Sequence, residues 1–316
     1  MALDSLTGIV TVLNTPFTAD DRVDLESLSA HVAYALEAGV AGFLVPALAS
    51  EVAKLTEAER EALVRQVVTD VAGRVPVIGG ASAETRENRV RLATRWIEVG
   101  CAGVLVNLPY VDDAQYEADV RALAALNPGF LMLQDWDFGG YGLPVPLIAR
   151  LFAEIDALQS LKIEVVPAGV KYTEVHHATG GRLHLAGGWA VSQMIEALDR
   201  GVHAMMPTAL HRVYIQIDRL YRGGDREAAV ALFQQLLPVL AFSNQHLDIS
   251  VHFFKRLLHR QGLYATARVR EPILPFDTYH TRIADELIER VIALEDRLGT
   301  SAPVSGRGGR DGSLSE

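Results

Sequence analysis

Residues 101–134, CAGVLVNLPYVDDAQYEADVRALAALNPGFLMLQ, hold one copy of the pattern that decides the fold. Gly103–Asn107 and Phe130–Gln134 are nearly continuous apolar runs, and Asp112–Leu126 between them spaces its apolar residues for a helix. Strands without polar alternation suit a parallel sheet covered on both faces. The same alternation continues outward. Upstream it predicts strands over Gly8–Asn14, Ala41–Pro46 and Val75–Gly79, with helices over Asp24–Ala38, Glu57–Val71 and Glu84–Val99. Downstream it predicts strands over Ser160–Glu164, Arg182–Ala186 and His203–Pro207, and helices over Pro144–Ala157, Gly169–Ala178, Val191–Arg200 and Ala209–Arg222. These eight units average about 27 residues, close to the ~30 of an eightfold (β/α)8 TIM barrel. A doubly wound sheet would place a glycine-rich loop after its first strand, whereas here that strand runs into Asn14-Thr15-Pro16-Phe17.

Gly223-Gly224-Asp225 breaks the pattern, and helical periodicity alone follows over Arg226–Phe242, Ile249–Arg260 and Arg282–Leu298. The expected organisation is a barrel over 1–224 and a C-terminal helical appendage over 225–298. Residues 299–316, GTSAPVSGRGGRDGSLSE, bury too little apolar surface to order themselves and are expected to form a disordered tail.

Composition narrows the function. The chain of 316 residues carries 29 basic and 39 acidic side chains, a net charge of −10, and no basic cluster of the kind phosphate backbones require. No nucleic-acid partner is expected. No apolar run is long enough to span a bilayer, and the first 16 residues lack a basic start before an apolar block, so neither a membrane span nor a leader is expected. The lone Cys101 excludes an internal disulfide and points to a reducing, cytoplasmic setting. Only four lysines occur: Lys54, Lys162, Lys171 and Lys255.

In an eightfold barrel the site forms at the C-terminal ends of the strands. The polar residues expected there include Ser50, Asn107, Tyr110, Gln134, Asp135, Asp137, Lys162, Glu164, Gly188 and Thr208. Of the lysines, Lys54 reads as a loop residue, Lys171 as able to reach the rim, and Lys255 as a solvated charge on an outer helix. Lys162 alone interrupts an apolar strand, in SLKIEVV. A lysine inside a barrel must be paired or give up its proton. A neutral amine there attacks a carbonyl to form a Schiff base; an ion pair with Glu164, two residues on, is the structural alternative. Adjacent His176 and His177 diverge by about 100° on a helix, so they do not chelate together, and no metal centre is expected. Trp136 and Trp189 either wall a pocket or pack beneath a loop.

Several stretches together resemble the dihydrodipicolinate synthase and N-acetylneuraminate lyase family of class I aldolases. GIVTVLNTPFTADDRVD resembles the opening strand and Thr-Pro-Phe turn of that family. GVAGFLVPALASEVAKLTEAER resembles its second strand, its Gly-Thr-Thr-Gly-Glu loop and the helix start beyond. VLVNLPY resembles the end of strand four, and SLKIE the strand-six lysine. The resemblance spans residues 8 to about 298 and implies a (β/α)8 barrel with C-terminal helices, commonly a homo-oligomer (tetramer or dimer). It implies a small-molecule carbonyl substrate, a 2-keto acid held as an imine on Lys162, and no cofactor, because the imine is itself the electron sink.

The departures from the family are equally specific. Ala47-Leu48-Ala49-Ser50-Glu51 lacks the loop's two threonines, leaving Ser50 or backbone N–H groups as carboxylate donors. Gln134-Asp135-Trp136-Asp137 replaces the strand-five tyrosine of Tyr-Asn-x-Pro, and DFGGYG lacks the arginine that dihydrodipicolinate synthases use on their aldehyde. Tyr110 matches the first tyrosine of the Pro-Tyr-Tyr motif, while Val111 takes the second place. The expected catalytic set is therefore Lys162 with Tyr110 or Asp135 as acid–base, and Ser50, Gln134, Glu164, Gly188, Thr208 and Asn107 bind substrate. The reaction expected is aldol cleavage, aldol addition or dehydration of a 2-keto acid rather than the lysine-pathway step. Two rivals are a sugar-acid dehydratase of the same superfamily and a barrel that only binds.

Overall fold

The computed structural model describes residue 3 and residues 5–300. Eight parallel strands follow one another in chain order, and the last pairs with the first to close a barrel. They are β1 (Gly8–Val12), β2 (Gly42–Val45), β3 (Val77–Gly80), β4 (Gly103–Asn107), β5 (Leu131–Asp137), β6 (Leu158–Val165), β7 (His184–Gly187) and β8 (Ala204–Met205). The surrounding helices are α1 (Leu25–Ala38), α2 (Glu57–Val71), α3 (Arg86–Val99), α4 (Asp113–Ala124), α5 (Val145–Glu154), α6 (Ala168–Ala178), α7 (Met194–Asp199) and α8 (His211–Arg222). Local chemistry starts several of them. Asp24, Thr56, Thr85 and Asp112 each accept a backbone N–H from three residues on, satisfying a donor the helix itself leaves open.

Strand alternation separates two cores. Val10, Val12, Leu44, Ile78, Leu105, Met132 and Met206 fill the barrel interior. Their neighbours Ile9, Phe43, Val77, Val104, Leu133, Leu161 and Ile163 pack outward against the helices. On β6 this parity turns Ser160, Lys162 and Glu164 inward. At the closed end, the Ser160 hydroxyl donates to His184 Nδ1 (2.8 Å), whose ring donates from Nε2 to the Leu6 carbonyl (3.0 Å). Burial pulls His184 down to about 4, so the ring is neutral and serves as a polar plug. No cluster of three metal-ligating side chains occurs among the described residues.

The structure departs from the sequence reading at several elements. Strand β5 runs on to Asp137, three residues past its expected end, paired with β6 as far as Val165. The expected Val191–Arg200 helix begins instead as a 3-10 turn, Trp189–Gln193, before α7. Arg226–Phe242 is two helices, α9 (Arg226–Gln234) and α10 (Leu237–Ser243), broken where Pro238 has no N–H to continue the ladder. The last helix, α12 (Thr278–Thr300), runs two residues into the expected tail; residues 301–316 lie outside the described residues.

The C-terminal helices are tied to the barrel by buried polar groups. Lys255, on α11 (Leu247–Arg260), is wholly buried instead of solvated. Its ammonium meets Glu51 and the Arg268 carbonyl and lies 4.1 Å from the centre of the Phe17 ring. A second tie runs Thr11–His211–His31–Tyr264. The Tyr264 hydroxyl donates to the Asn14 carbonyl (2.9 Å), so its oxygen accepts from His31 Nδ1 (3.1 Å). His31 Nε2 then accepts from His211 Nε2 (2.9 Å), and His211 Nδ1 from the Thr11 hydroxyl (3.3 Å). That chain needs both rings neutral, and burial pulls His31 down to about 3. Cys101 is buried, which pushes its thiol up to about 12. No described helix is long and apolar enough to cross a membrane.

Candidate active site

Lys162 projects into a cavity of about 430 Å³ at the C-terminal end of the strands, within the range of small-molecule sites. Its Nζ lies 2.9 Å from Glu164 Oε2, and both side chains are more than nine-tenths buried. Gln134, paired with Lys162 across the β5–β6 ladder, donates from Nε2 to the same oxygen at 2.5 Å. The Trp189 backbone N–H donates to Glu164 Oε1 at 2.8 Å. Burial works to raise the Glu164 carboxyl, but the Lys162 charge, the Gln134 amide and the Trp189 N–H together hold it below its ordinary value. It is therefore an anion. Gly188 permits this arrangement, because a Cβ there would sit 2.0 Å from Glu164 Oε1 and 2.5 Å from Lys162 Cε.

Gln134, Glu164, Gly188 and Thr208 line the cavity with Lys162; Ser50, Asn107, Tyr110 and Asp135 do not. The Thr208 hydroxyl donates to the Val12 carbonyl at 3.1 Å. Ser50 is bound into its own turn, donating to the Leu13 carbonyl (2.5 Å) and accepting from the Ala47 N–H. Asn107 donates to the Gln134 carbonyl, holding β4 to β5. Tyr110 is half-exposed, and its hydroxyl donates to Asp113 at 2.7 Å, which pushes the phenol up. Asp135 has the opposite parity to Gln134 and faces the helices. It accepts the Leu143 N–H (2.9 Å) and pairs with Lys171 at 3.3 Å. Neither acid–base candidate reaches the cavity, and period-two parity on β5 was the signal that excludes Asp135. Asp137 closes its own loop through the Gly139 and Gly142 N–H groups.

A profile of the dihydrodipicolinate synthetase family matches residues 5–291. The chain belongs to that family. L-2-keto-3-deoxyarabonate dehydratase from Azospirillum brasilense is 29% identical over 277 residues, covering 84% of this chain and 88% of the relative. 4-Hydroxy-tetrahydrodipicolinate synthase from Xanthomonas axonopodis pv. citri is 28% identical over 297 residues, covering 92% and 96%. The crystal structure of dihydrodipicolinate synthase from Rhodopseudomonas palustris superposes with a TM-score of 0.84 at 23% identity, covering 90% of this chain and 98% of that one. Dihydrodipicolinate synthetase family enzymes are lyases of the Schiff-base type, and this chain is one of them.

Two features of this family member's site escaped the sequence reading, and a third was read only in part. The 3-residue link between α10 and α11, Asn244–His246, roofs the cavity together with Leu240, Leu247 and Phe254. Tyr214 on α8 also lines it, wholly buried, with a hydroxyl that has no protein partner; the Asn244 Nδ2 is buried and unpartnered too. Trp136, Phe138 and Trp189 form an aromatic wall, with ring centres 5.7 Å apart in each successive pair. Only the two tryptophans carried a signal in the sequence.

Proposed function

We propose that the chain is a class I aldolase or lyase of a 2-keto acid, with Lys162 as the imine-forming amine. The observation that carries this reading is the placement of Lys162: it faces an open volume and makes a single ion pair, with a carboxylate positioned to take its proton. Glu164 accepts a proton from the ammonium, and the free amine adds to the substrate's keto carbon. The carbinolamine loses its hydroxyl as water when a proton returns to it, leaving an iminium. In the cleavage direction Glu164, again a carboxylate, takes the hydroxyl proton on the fourth carbon, and the electrons of the carbon–carbon bond flow into the iminium to give an enamine and a free aldehyde. Protonation of the enamine and hydrolysis of the imine release the shorter keto acid and restore Lys162. Gln134 and the Trp189 N–H hold Glu164 throughout; Gly188 leaves room for it.

Among the described residues no arginine lines the cavity, which speaks against the lysine-pathway aldehyde. Dehydration is the second reading, favoured by the name of the Azospirillum relative. It shares the imine and enamine but expels hydroxide from the adjacent carbon, giving a product of unchanged carbon number. A homo-oligomer of two or four chains in the cytoplasm completes the proposal, with light scattering as the check on size. Borohydride treatment in the presence of pyruvate, followed by peptide mass spectrometry, tests the core claim. A reduced adduct on Lys162 is expected, and adduct elsewhere or none at all refutes it. Product masses then separate cleavage from dehydration.

A further inference from the structure

Helix α12 docks on the rest of the molecule through one face, burying Ala284, Leu287, Ile288, Val291 and Leu294. A second stripe looks outward. Tyr279, Ile283, Glu286, Arg290, Ala293 and Arg297 follow one another in alternating steps of four and three, and all six are exposed. That spacing keeps them in one row, the spacing of a seam between two helices. The row has two unlike halves. At its start Tyr279 and Ile283 project, 67% and 38% exposed. Toward its end a groove of about 250 Å³ runs between α12 and α10, its lining including buried Val239, Leu287, Val291 and Leu294 and exposed Arg290 and Arg297.

Projecting side chains at one end and a groove at the other make a face that fits a copy of itself, as a twofold contact requires. The charges choose the direction. Glu286 and Arg290, in the middle of the row, make no ion pair among the described residues. A second copy laid parallel sets Glu286 on Glu286 and Arg290 on Arg290. Laid antiparallel about an axis near residue 288, it sets Glu286 against Arg290 twice, Ile283 against Ala293 twice and Tyr279 against Arg297 twice. The projecting Ile283 and Tyr279 of the second copy then lie along the groove. Glu289 comes nearest its own counterpart across the axis, and its charge is already met by Arg260 at 3.6 Å.

We propose that the outer face of α12 is an interface between two copies of this chain. They join antiparallel, each seating Ile283 and Tyr279 in the α10–α12 groove of the other, with two Glu286–Arg290 pairs at the centre. This rests on the homo-oligomer proposed above and names a face that joins it; the Schiff-base reading stands independently.

Light scattering on the full chain reads the mass of the assembly. Ile283→Asp should halve that mass, because the contact would then bury a charge in an apolar groove. Glu286→Arg and Arg290→Glu should each weaken association by at least about 10-fold, since like charges then meet across the axis. The two reversals combined should restore the native mass, which a mere loss of folding would not allow. Cross-linking reads the register. Ile283→Cys combined with Ala293→Cys should give a disulfide-linked pair of chains under mild oxidation with diamide, seen on a non-reducing denaturing gel. Either cysteine alone should not, because identical positions lie ten residues apart along the seam, about 15 Å. A single cysteine that links as readily as the pair overturns the antiparallel register. An oligomer whose mass none of these variants changes keeps the homo-oligomer and overturns this face, as does a native chain that is monomeric at every concentration. A chain ended at Thr300 that pairs where the full chain does not assigns the groove to residues 301–316, which also overturns the proposal. Trapping of pyruvate on Lys162 tests the Schiff-base reading separately from all of these.

Discussion

Lys162 and Lys255 are both buried and both paired with a glutamate, yet only one faces a cavity. Lys255 is enclosed by Glu51, the Arg268 carbonyl and the Phe17 ring, so its donors are directed at protein groups. Burial pulls its ammonium down to about 8 against the opposing pull of Glu51. By perturbation alone it would rank as the better nucleophile. Its neighbour Phe254 lines the cavity, and one step along the helix, a turn of about 100°, points Lys255 the other way. Lys162 has one ion pair and an open approach. A shifted amine is thus not enough to name a nucleophile; access is the deciding property.

The largest effect expected is that of Lys162→Ala. Turnover should fall by at least about 10⁴-fold, as when a covalent nucleophile is lost, and borohydride should trap no pyruvate on the chain. Trapping that persists elsewhere would break the comparison. Lys255→Met should do the reverse, costing about 1.5–3 kcal/mol of stability, the scale of one charge-assisted bond, because Glu51 loses one of its two lysines and keeps Lys54 (3.2 Å) and the Arg270 N–H (3.0 Å). Denaturant unfolding measures this, and the folded fraction should still trap pyruvate on Lys162.

A smaller effect should follow Glu164→Gln. Imine formation should slow by about 10²-fold, the contribution of a positioned proton acceptor, while the adduct mass shifts only by the substitution itself. Stopped trapping time courses read this. Because the Glu164 carboxyl sits below its ordinary value, its stabilising contribution is complete above the unfolded value of about 4.3 and is lost as pH falls through the folded one. The variant should therefore show a shallower loss of Tm below about pH 4.3.

Lys171→Met should have the smallest effect, about 1–3 kcal/mol at neutral pH, with trapping retained. Burial raises the Asp135 carboxyl, against Lys171 and the Leu143 N–H. A raised folded value favours the fold below the unfolded value of about 3.9 and loses that contribution as pH rises through the folded one. Without Lys171 the carboxyl is raised further, so the deficit should shrink as pH approaches about 4, where the acid takes up its proton. A deficit independent of pH would show that Lys171 acts only through its bonds to the Tyr141 and Leu143 carbonyls.

Much of the site was legible because a strand's alternation is a local property of the backbone. Once Lys162 faces inward, Glu164 must follow two residues on, and the neighbouring strand brings Gln134 beside it. The same rule would have turned Asp135 outward, and its polar character alone made it a candidate. Ser50 and Tyr110 failed for a different reason. Their hydroxyls are satisfied by local groups, the Leu13 carbonyl and Asp113, before any substrate is present. Short-range partners of this kind depend on turn geometry that residue type does not reveal.

By itself, then, the order of residues determined an eightfold barrel, an inward lysine and its carboxylate, because periodicity and parity are written into successive positions. Tertiary structure alone decided that Lys255 closes on Glu51, 204 positions away, and that the α10–α11 link roofs the mouth. It likewise brought Tyr214 and Asn244 to one cavity. Such meetings are set by barrel closure and by how the last helices dock on it. Those depend on packing summed over the whole chain, which no local pattern records.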